Sequence, residues 1–142
     1  MIDRAAIEQI AIACRCGLSS LNGVSGSMFA DFPRATCGPA SEILGRLLKE
    51  QLGYEGTYVC GYQHPMLSPS QSHAWFEVAG VLIDITYDQF EETGLSGWTF
   101  NSETGWHAQF ACIEKRNGFC MPSGWPYYPH DGYRAAMDEL RR

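Results

Sequence analysis

The sequence has little positive charge, and its basic residues are dispersed. Ten Lys and Arg stand against sixteen Asp and Glu, which gives a formal net charge of −6. No stretch gathers these cations into a basic stripe. Because proteins bind nucleic acid largely through clustered cations that displace counterions from phosphates, we expect no nucleic-acid partner.

Long apolar runs are missing, and so is a recognisable export signal. No run approaches the roughly 20 apolar residues that a membrane helix requires, so we expect no membrane partner. A basic segment followed by an apolar one is also lacking at the N-terminus, where Asp3 and Glu8 interrupt the apolar residues. We therefore expect a cytoplasmic protein, although export without a cleaved signal would leave no such pattern.

Metal-binding and nucleotide-binding motifs are absent as well. Cys14 and Cys16 have C-x-C spacing, whereas a zinc ribbon favours C-x2-C, and no second pair matches. The glycine-rich stretch 17–27 follows a helical pattern rather than a strand, unlike a dinucleotide-binding loop. We expect no metal and no cofactor, and in a reducing cytosol we expect the six cysteines to be thiols.

The chain is long enough and apolar enough to build a hydrophobic core without stabilising disulfide bonds or metal ions. It has 142 residues, of which 45% are hydrophobic, and we expect one domain over residues 1–142. Apolar spacing of three and four predicts helices over 2–14, 37–52 and 131–140, the first of them ending near Gly17.

Strand patterns complete the prediction of an α+β fold. β-rich runs predict strands over 56–62, 72–79 and 81–87, the last two joined by a hairpin turn at Ala79-Gly80. Weaker strand patterns cover 98–100 and 109–113, and coil is expected over 17–35 and 117–132. The expected architecture is the 37–52 helix packed on an antiparallel sheet.

Three residues occur in an order that suits nucleophilic catalysis: Cys37, His73 and Asp84. Cys37 heads a predicted helix, where the positive end of the helix dipole favours a thiolate and free backbone N–H groups can hold an oxyanion. His73 would act as the base and later protonate a leaving amine, and Asp84 would orient its ring. Each residue alone is more simply a buried structural residue; their combination favours catalysis.

Counting along the predicted hairpin brings two of these residues together. If strands 72–79 and 81–87 pair about Ala79-Gly80, residues opposite each other have numbers that sum to about 159. His73 and Asp84 are then diagonal neighbours on one face, roughly 7–8 Å apart at Cα, within reach of an imidazole–carboxylate hydrogen bond. A buried acid within Leu82-Ile83-Asp84-Ile85 would in any case need such a partner.

Four further residues are weaker candidates for the oxyanion site or the pocket. Gly38 would let a carbonyl approach the backbone, Gln89 or Asn22 would donate a second hydrogen bond, and His107 would border the pocket or simply pack. We assign Trp75 to the core, on the strand face opposite His73.

The residues around the three candidates resemble the transglutaminase-like superfamily of papain-like cysteine enzymes. The resemblance rests on Cys37-Gly38-Pro39-Ala40-Ser41, on Ser72-His73-Ala74-Trp75-Phe76-Glu77-Val78 and on Ile83-Asp84-Ile85-Thr86, within residues 36–87. It implies a papain-like core, a Cys–His–Asp triad and a thioester intermediate. Trp106-His107-x-x-Phe110 and Asp88-Gln89-Phe90 look like a small bacterial subgroup.

Two classes of function follow. The first is a thiol enzyme acting on an amide or peptide bond of a protein or peptide substrate, with hydrolysis, deamidation and transamidation all open. The alternative is an interaction module that keeps the fold without activity.

Selective alkylation distinguishes these classes. We expect iodoacetamide to modify Cys37 below about pH 7, well ahead of the other five cysteines, because only a thiol of lowered pKa supplies thiolate there. Mass spectrometry of timed digests measures the six rates in one sample, so the other cysteines serve as internal controls. Equal rates would favour the inactive module.

Overall fold

The computed structural model describes residues 2–102, 105–119 and 129–142. Within these ranges the chain forms three α-helices: α1 (Arg4–Ser19), α2 (Cys37–Leu52) and α3 (His130–Leu140). It also forms five strands: β1 (Thr57–Tyr62), β2 (Ser72–Val78), β3 (Val81–Ile83), β4 (Thr99–Asn101) and β5 (Cys112–Asn117). The strands make one antiparallel sheet in the order β4-β3-β2-β1-β5, which confirms the α+β prediction.

The central hairpin has the predicted register. Phe76 lies opposite Ile83 and Val78 lies opposite Val81. Ala79 and Gly80 make the turn with positive φ angles of 46° and 85°. Such left-handed pairs match the twist of the flanking strands, so a two-residue turn sets the alignment of β2 and β3.

The central strands β2 and β3 are buried on both faces of the sheet, and the two faces carry different clusters. Phe76, Val78 and Ile83 pack on one face against α1 and α2, within the larger core. Trp75 and Leu82 point the other way and join a smaller cluster with Val59, Trp106 and Phe110. This division follows from the alternation of side chains along a strand.

Helix α2 begins and ends where the sequence pattern predicts. Gly53 follows it in the left-handed conformation, with φ 72°, and its N–H donates to the Lys49 carbonyl. Thr36 makes no side-chain cap, because its hydroxyl donates to the Pro33 carbonyl instead. Buried Glu42 forms a 3.0 Å ion pair with Arg116 and so joins α2 to the edge strand β5.

Several predicted boundaries are wrong. The first helix continues through Gly17 to Ser19, because Gly17 is a contact point with α3 rather than a stop. Strand β3 ends at Ile83, where Asp84 turns the chain away from the sheet. The run 109–113 straddles a 3₁₀ turn (Gly105–Gln109) and the start of β5. Most of the coil predicted over 117–132 lies outside the described residues.

The helices also bear on the expectation about membranes. Among the residues that the structure describes, no helix is both long enough and apolar enough to cross a bilayer.

The contact between α1 and α3 makes Gly17 sensitive to substitution. A Cβ there would lie 2.6 Å from the Ala136 backbone nitrogen, and backbone cannot move aside as a side chain end can. Overpacking of this kind costs about 1–3 kcal/mol, and contacts of 2.6–2.7 Å with three backbone atoms of α3 place Gly17 in the upper part of that range. Ala gains roughly 1 kcal/mol over Gly in a helix, which offsets part of this cost. We expect Gly17→Ala to lower the free energy of unfolding by about 1–2 kcal/mol in urea titrations.

Ile12→Ala in the same helix is the control, because Ile12 is exposed and its truncation should change stability by less than about 0.5 kcal/mol. Equal stability of the Gly17→Ala variant and the wild type would contradict close packing at this contact.

Candidate active site

Cys37 is the first residue of α2 and is partly exposed. The first hydrogen bond of the helix runs from the Ala40 N–H to the Thr36 carbonyl, at 2.9 Å. The N–H groups of Cys37 and Gly38 precede that bond, and Pro39 has none, so within the described part of the chain these two donors have no partner in the helix. A thiol with two free backbone donors is an arrangement that can hold both a nucleophile and an oxyanion.

The sulfur of Cys37 lies against the start of β2. The His73 side chain and the Ala74 backbone lie close enough to the sulfur to lower the pKa of the thiol. His73 itself is fully buried, whereas Cys37 is partly exposed.

Asp84 accepts a hydrogen bond from the His73 ring. His73 Nε2 donates to Asp84 Oδ2 at 2.6 Å, so the other ring nitrogen, Nδ1, faces away from Asp84 and lies 3.4 Å from the Gln89 amide nitrogen. The hydrogen bond predicted by counting residues along the hairpin is therefore present. Cys37, His73 and Asp84 form one continuous series of side chains.

Asp84 is itself fixed by the backbone that follows it. Its Oδ1 accepts from the Thr86 N–H at 3.0 Å, while its own N–H donates to the Trp98 carbonyl. An aspartate that binds the backbone two residues on competes with strand pairing. This local bond explains why β3 is short and why the carboxylate keeps one orientation.

His107 contacts the same carboxylate oxygen as His73. Its Nε2 donates to Asp84 Oδ2 at 2.6 Å from the turn Gly105–Gln109, and the side chain is buried. The sequence pattern suggested a residue at the pocket border or a packing residue. The structure instead places His107 behind the Asp84 carboxylate.

These contacts determine the ionisation of the site. Burial disfavours the Cys37 thiolate, but the hydrogen bond and charge of His73 outweigh it, so the pKa of Cys37 is lowered. Burial likewise opposes the charge on His73, yet Asp84 and Cys37 raise the pKa of His73 to about 9. For Asp84 too, burial is outweighed by His73 and His107, which hold its pKa below the usual range. The site therefore stabilises a thiolate on Cys37 and an imidazolium on His73, beside the Asp84 carboxylate.

The remaining candidates fall in different places. The amide nitrogen of Gln89 lies 3.4 Å from His73 Nδ1 and donates to the Thr86 carbonyl, so Gln89 is at the site. The Asn22 amide donates to the Phe32 carbonyl, within the loop that precedes α2. A Cβ on Gly38 would lie 3.2 Å from the Tyr58 hydroxyl, so glycine leaves room there.

The assignment of Trp75 to the face opposite His73 is wrong. Residues two apart in a strand share a face, and the Trp75 ring lies 6.0 Å from the His73 ring. Trp75 belongs to the smaller cluster and also contacts His107, at 4.8 Å between ring centroids. Trp75 is a core residue, as expected, but the part of the core to which it belongs surrounds the candidate site.

Tyr58 is the residue that sequence reasoning missed. Its hydroxyl lies beside Gly38, and its pKa is raised by burial and by the charge of Cys37. Tyr58 reaches this position because it pairs with Phe76 across β1 and β2. An aromatic residue in a strand carries no signal that it will lie near a cysteine, so only the register reveals it.

A metal is the other ligand that the buried cluster suggests. His73, Asp84 and His107 offer two imidazole nitrogens and a carboxylate oxygen that lie within 4.8 Å of one another. The two nitrogen–oxygen distances of 2.6 Å suit direct hydrogen bonds. Ligand atoms bound tetrahedrally to a zinc ion, about 2.0–2.2 Å from it, would be separated from one another by roughly 3.3–3.6 Å. The observed distances therefore fit hydrogen bonds to Asp84 better than a bound zinc ion.

A cavity of about 630 Å³ elsewhere in the molecule does not include the site. It lies between the middle of α2 and the sheet, lined by residues that include Gly45, Lys49, Phe76 and Phe119. None of its lining residues belongs to the Cys37–His73–Asp84 series.

The chain matches no family model, no curated protein and no solved structure in comparisons with known proteins. What the site does must be argued from its own chemistry.

The ion pair leads to an expectation about stability and pH. The two pKa shifts have opposite effects on proton binding: on folding, the Cys37 thiol tends to release a proton and the His73 imidazole tends to take one up. These two effects partly cancel, so the pair adds less pH dependence to the free energy of unfolding than His73 alone would.

Cys37→Ala should remove this compensation. Asp84 would still raise the pKa of His73, so its stabilisation would be complete below about pH 6.5 and lost as the pH rises. We expect the variant to lose on the order of 1–2 kcal/mol between pH 6 and pH 8.5 relative to the wild type, measured by urea unfolding. Cys60→Ala is the control and should keep the wild-type profile. Parallel profiles for Cys37→Ala and the wild type would mean that the pair is not ionised.

Proposed function

We propose that this chain is a cysteine-dependent acyl-transfer enzyme acting on an amide or peptide bond, with a papain-like core of the transglutaminase-like type. One arrangement carries the proposal: a thiol at a helix N-terminus lies beside a histidine that lowers its pKa, and a buried aspartate accepts a hydrogen bond from that histidine. This is the arrangement that activates a thiol and then protonates a leaving group.

The first half of the reaction forms a thioester. The Cys37 thiolate attacks the carbonyl carbon of the amide, and the carbonyl oxygen becomes an oxyanion. The N–H groups of Cys37 and Gly38 donate to that oxygen, with the Gln89 amide and the Tyr58 hydroxyl close by. His73 gives its Nδ1 proton to the leaving nitrogen, the carbon–nitrogen bond breaks, and the amine departs.

The second half releases the acyl group. His73, now neutral, accepts a proton from water or from an amine, which attacks the thioester carbonyl. The carbon–sulfur bond then breaks and restores the thiolate–imidazolium pair. Water gives hydrolysis, or deamidation if the substrate is a glutamine side chain, and an amine gives transamidation. In each case Asp84 keeps the imidazole oriented and stabilises its charge.

Burial of the site favours a substrate that reaches the sulfur from the surface. His73 and Asp84 are 0% and 1% exposed, so the substrate would meet Cys37, Gly38 and Gln89, and the proton would pass beside the sulfur. An extended peptide or a side-chain amide can present a carbonyl in this way. A protein or peptide substrate is therefore the class that we propose.

Loss of the nucleophile and loss of its orienter should have different effects. We expect Cys37→Ala to abolish turnover without unfolding the protein, and Asp84→Asn to lower kcat by roughly 10²–10⁴ with a much smaller change in KM. Peptide libraries containing glutamine serve as substrates, with ammonia release and new peptide termini measured in parallel. Ammonia without new termini indicates deamidation, and new termini indicate proteolysis.

The control variant is Cys60→Ala, because Cys60 is a partly exposed cysteine in the neighbouring strand that the mechanism does not use. Activity that survives in Cys37→Ala would refute the proposal. Absence of activity in the wild type, together with ordinary alkylation of Cys37, would favour the inactive interaction module.

A further inference from the structure

His107 occupies a position that the proposed mechanism does not require. A Cys–His–Asp series is complete once Asp84 accepts from His73, yet Asp84 Oδ2 accepts a second bond of the same length, 2.6 Å, from His107. All three side chains are almost fully buried. Two buried imidazoles therefore donate to the same carboxylate oxygen, and the role of the second imidazole has to be explained.

The surroundings hold His107 rigidly. Its ring lies 4.8 Å from the Trp75 ring and 5.2 Å from the Trp106 ring. The turn Gly105–Gln109 carries it, and His64 secures that turn by donating from Nε2 to the Trp106 carbonyl at 2.8 Å. A donor fixed in this way restrains the group that accepts from it.

We propose that His107 is a positioning residue for the Cys37–His73 pair: it holds the Asp84 carboxylate in place and shares its charge, so that Asp84 orients His73 without over-stabilising the imidazolium. The inference rests on the proposed function and adds a fourth residue to it. Thr86 restrains only Oδ1, so His107 is what fixes Oδ2 from the side remote from His73.

The effect on charge has a definite direction. A donor to the carboxylate stabilises its anionic form and weakens its attraction for the proton of His73. Without that donor, the pKa of His73 should rise and the pKa of Cys37 should fall. Among the described residues, the titratable groups that face this pair are Cys37 on α2, Asp84 after β3 and His107, with Tyr58 on β1 beside Cys37 and Tyr87 beside Asp84.

The test compares three substitutions at one position. His107→Phe removes the donor and keeps a ring, His107→Gln keeps an N–H near the position of Nε2, and His107→Asn is polar but too short to reach Asp84 Oδ2. The matched control is Val59→Ala, which removes buried volume from the same apolar cluster at a side chain that can make no hydrogen bond to Asp84 or to the turn that carries His107.

The readout is the rate of Cys37 alkylation by iodoacetamide against pH, which needs no substrate. In the wild type we expect two inflections, one where the thiolate–imidazolium pair forms and one where His73 loses its proton, near pH 9. In His107→Phe and His107→Asn we expect the upper inflection to rise and the lower one to fall, each by roughly half to one pH unit. His107→Gln and Val59→Ala should keep the wild-type inflections.

The outcomes separate the inference from the proposed function. A wild type without a low-pH thiolate would overturn the proposed function. A wild type with two inflections that none of the His107 variants moves would overturn only the role of His107. If His107→Phe fails to fold, the comparison of His107→Asn with His107→Gln decides the same question.

The ring protons supply a test that needs no variant. Histidine ¹⁵N spectra of the wild type should show protons on Nε2 of both His73 and His107, shifted downfield by strong hydrogen bonds to Asp84. Asp84→Asn should shift both signals. An Nε2 without a proton on His107, or a tightly held zinc ion whose removal restores that proton, would overturn the proposal, because that nitrogen would then be a metal ligand.

Discussion

The structure around the site depends on a negative charge kept away from water. The Asp84 carboxylate is almost fully buried, and an uncompensated charge there would cost several kcal/mol. Donors reach it from three directions: His73 on β2, His107 on the Gly105–Gln109 turn, and the Thr86 backbone. Strand β3 must therefore end early so that Thr86 can turn back, and the turn that carries His107 must dock on the sheet. The polar site and the fold stabilise each other.

The two faces of the sheet carry different groups of residues, one forming the larger core and the other holding the polar site. One face packs on α1 and α2 and forms the larger core. The other carries His73 and Asp84 among the aromatic rings of Trp75, Trp106 and their neighbours. Cys37 connects the two sides, because α2 packs on the first face while its N-terminal residue reaches the start of β2. Rigid apolar packing thus surrounds a small group of ionisable side chains, and their mutual distances stay short.

The ionisation of Cys37 and His73 reflects two opposing effects, burial and interaction with neighbouring charged groups. Burial alone would keep Cys37 and His73 neutral, but each stabilises the charge of the other, and Asp84 adds to the effect on His73. The pKa of the buried Cys14, which has no such partner contributing to its ionisation, is raised by burial instead. Two cysteines of one small protein therefore differ in ionisation because of their neighbours.

Local pattern determined a large part of this protein: the limits of α2, the hairpin at Ala79-Gly80, and through its register the bond between His73 and Asp84. These features depend on residues close in sequence, whose spacing constrains geometry directly. Tertiary structure alone decided the rest. Gly17 lies inside a helix because α3 packs against it, and Tyr58 and His107 reach the site because β1 and a distant turn dock there. Contacts between segments far apart in sequence depend on how whole elements pack, and no period or spacing within one segment records that.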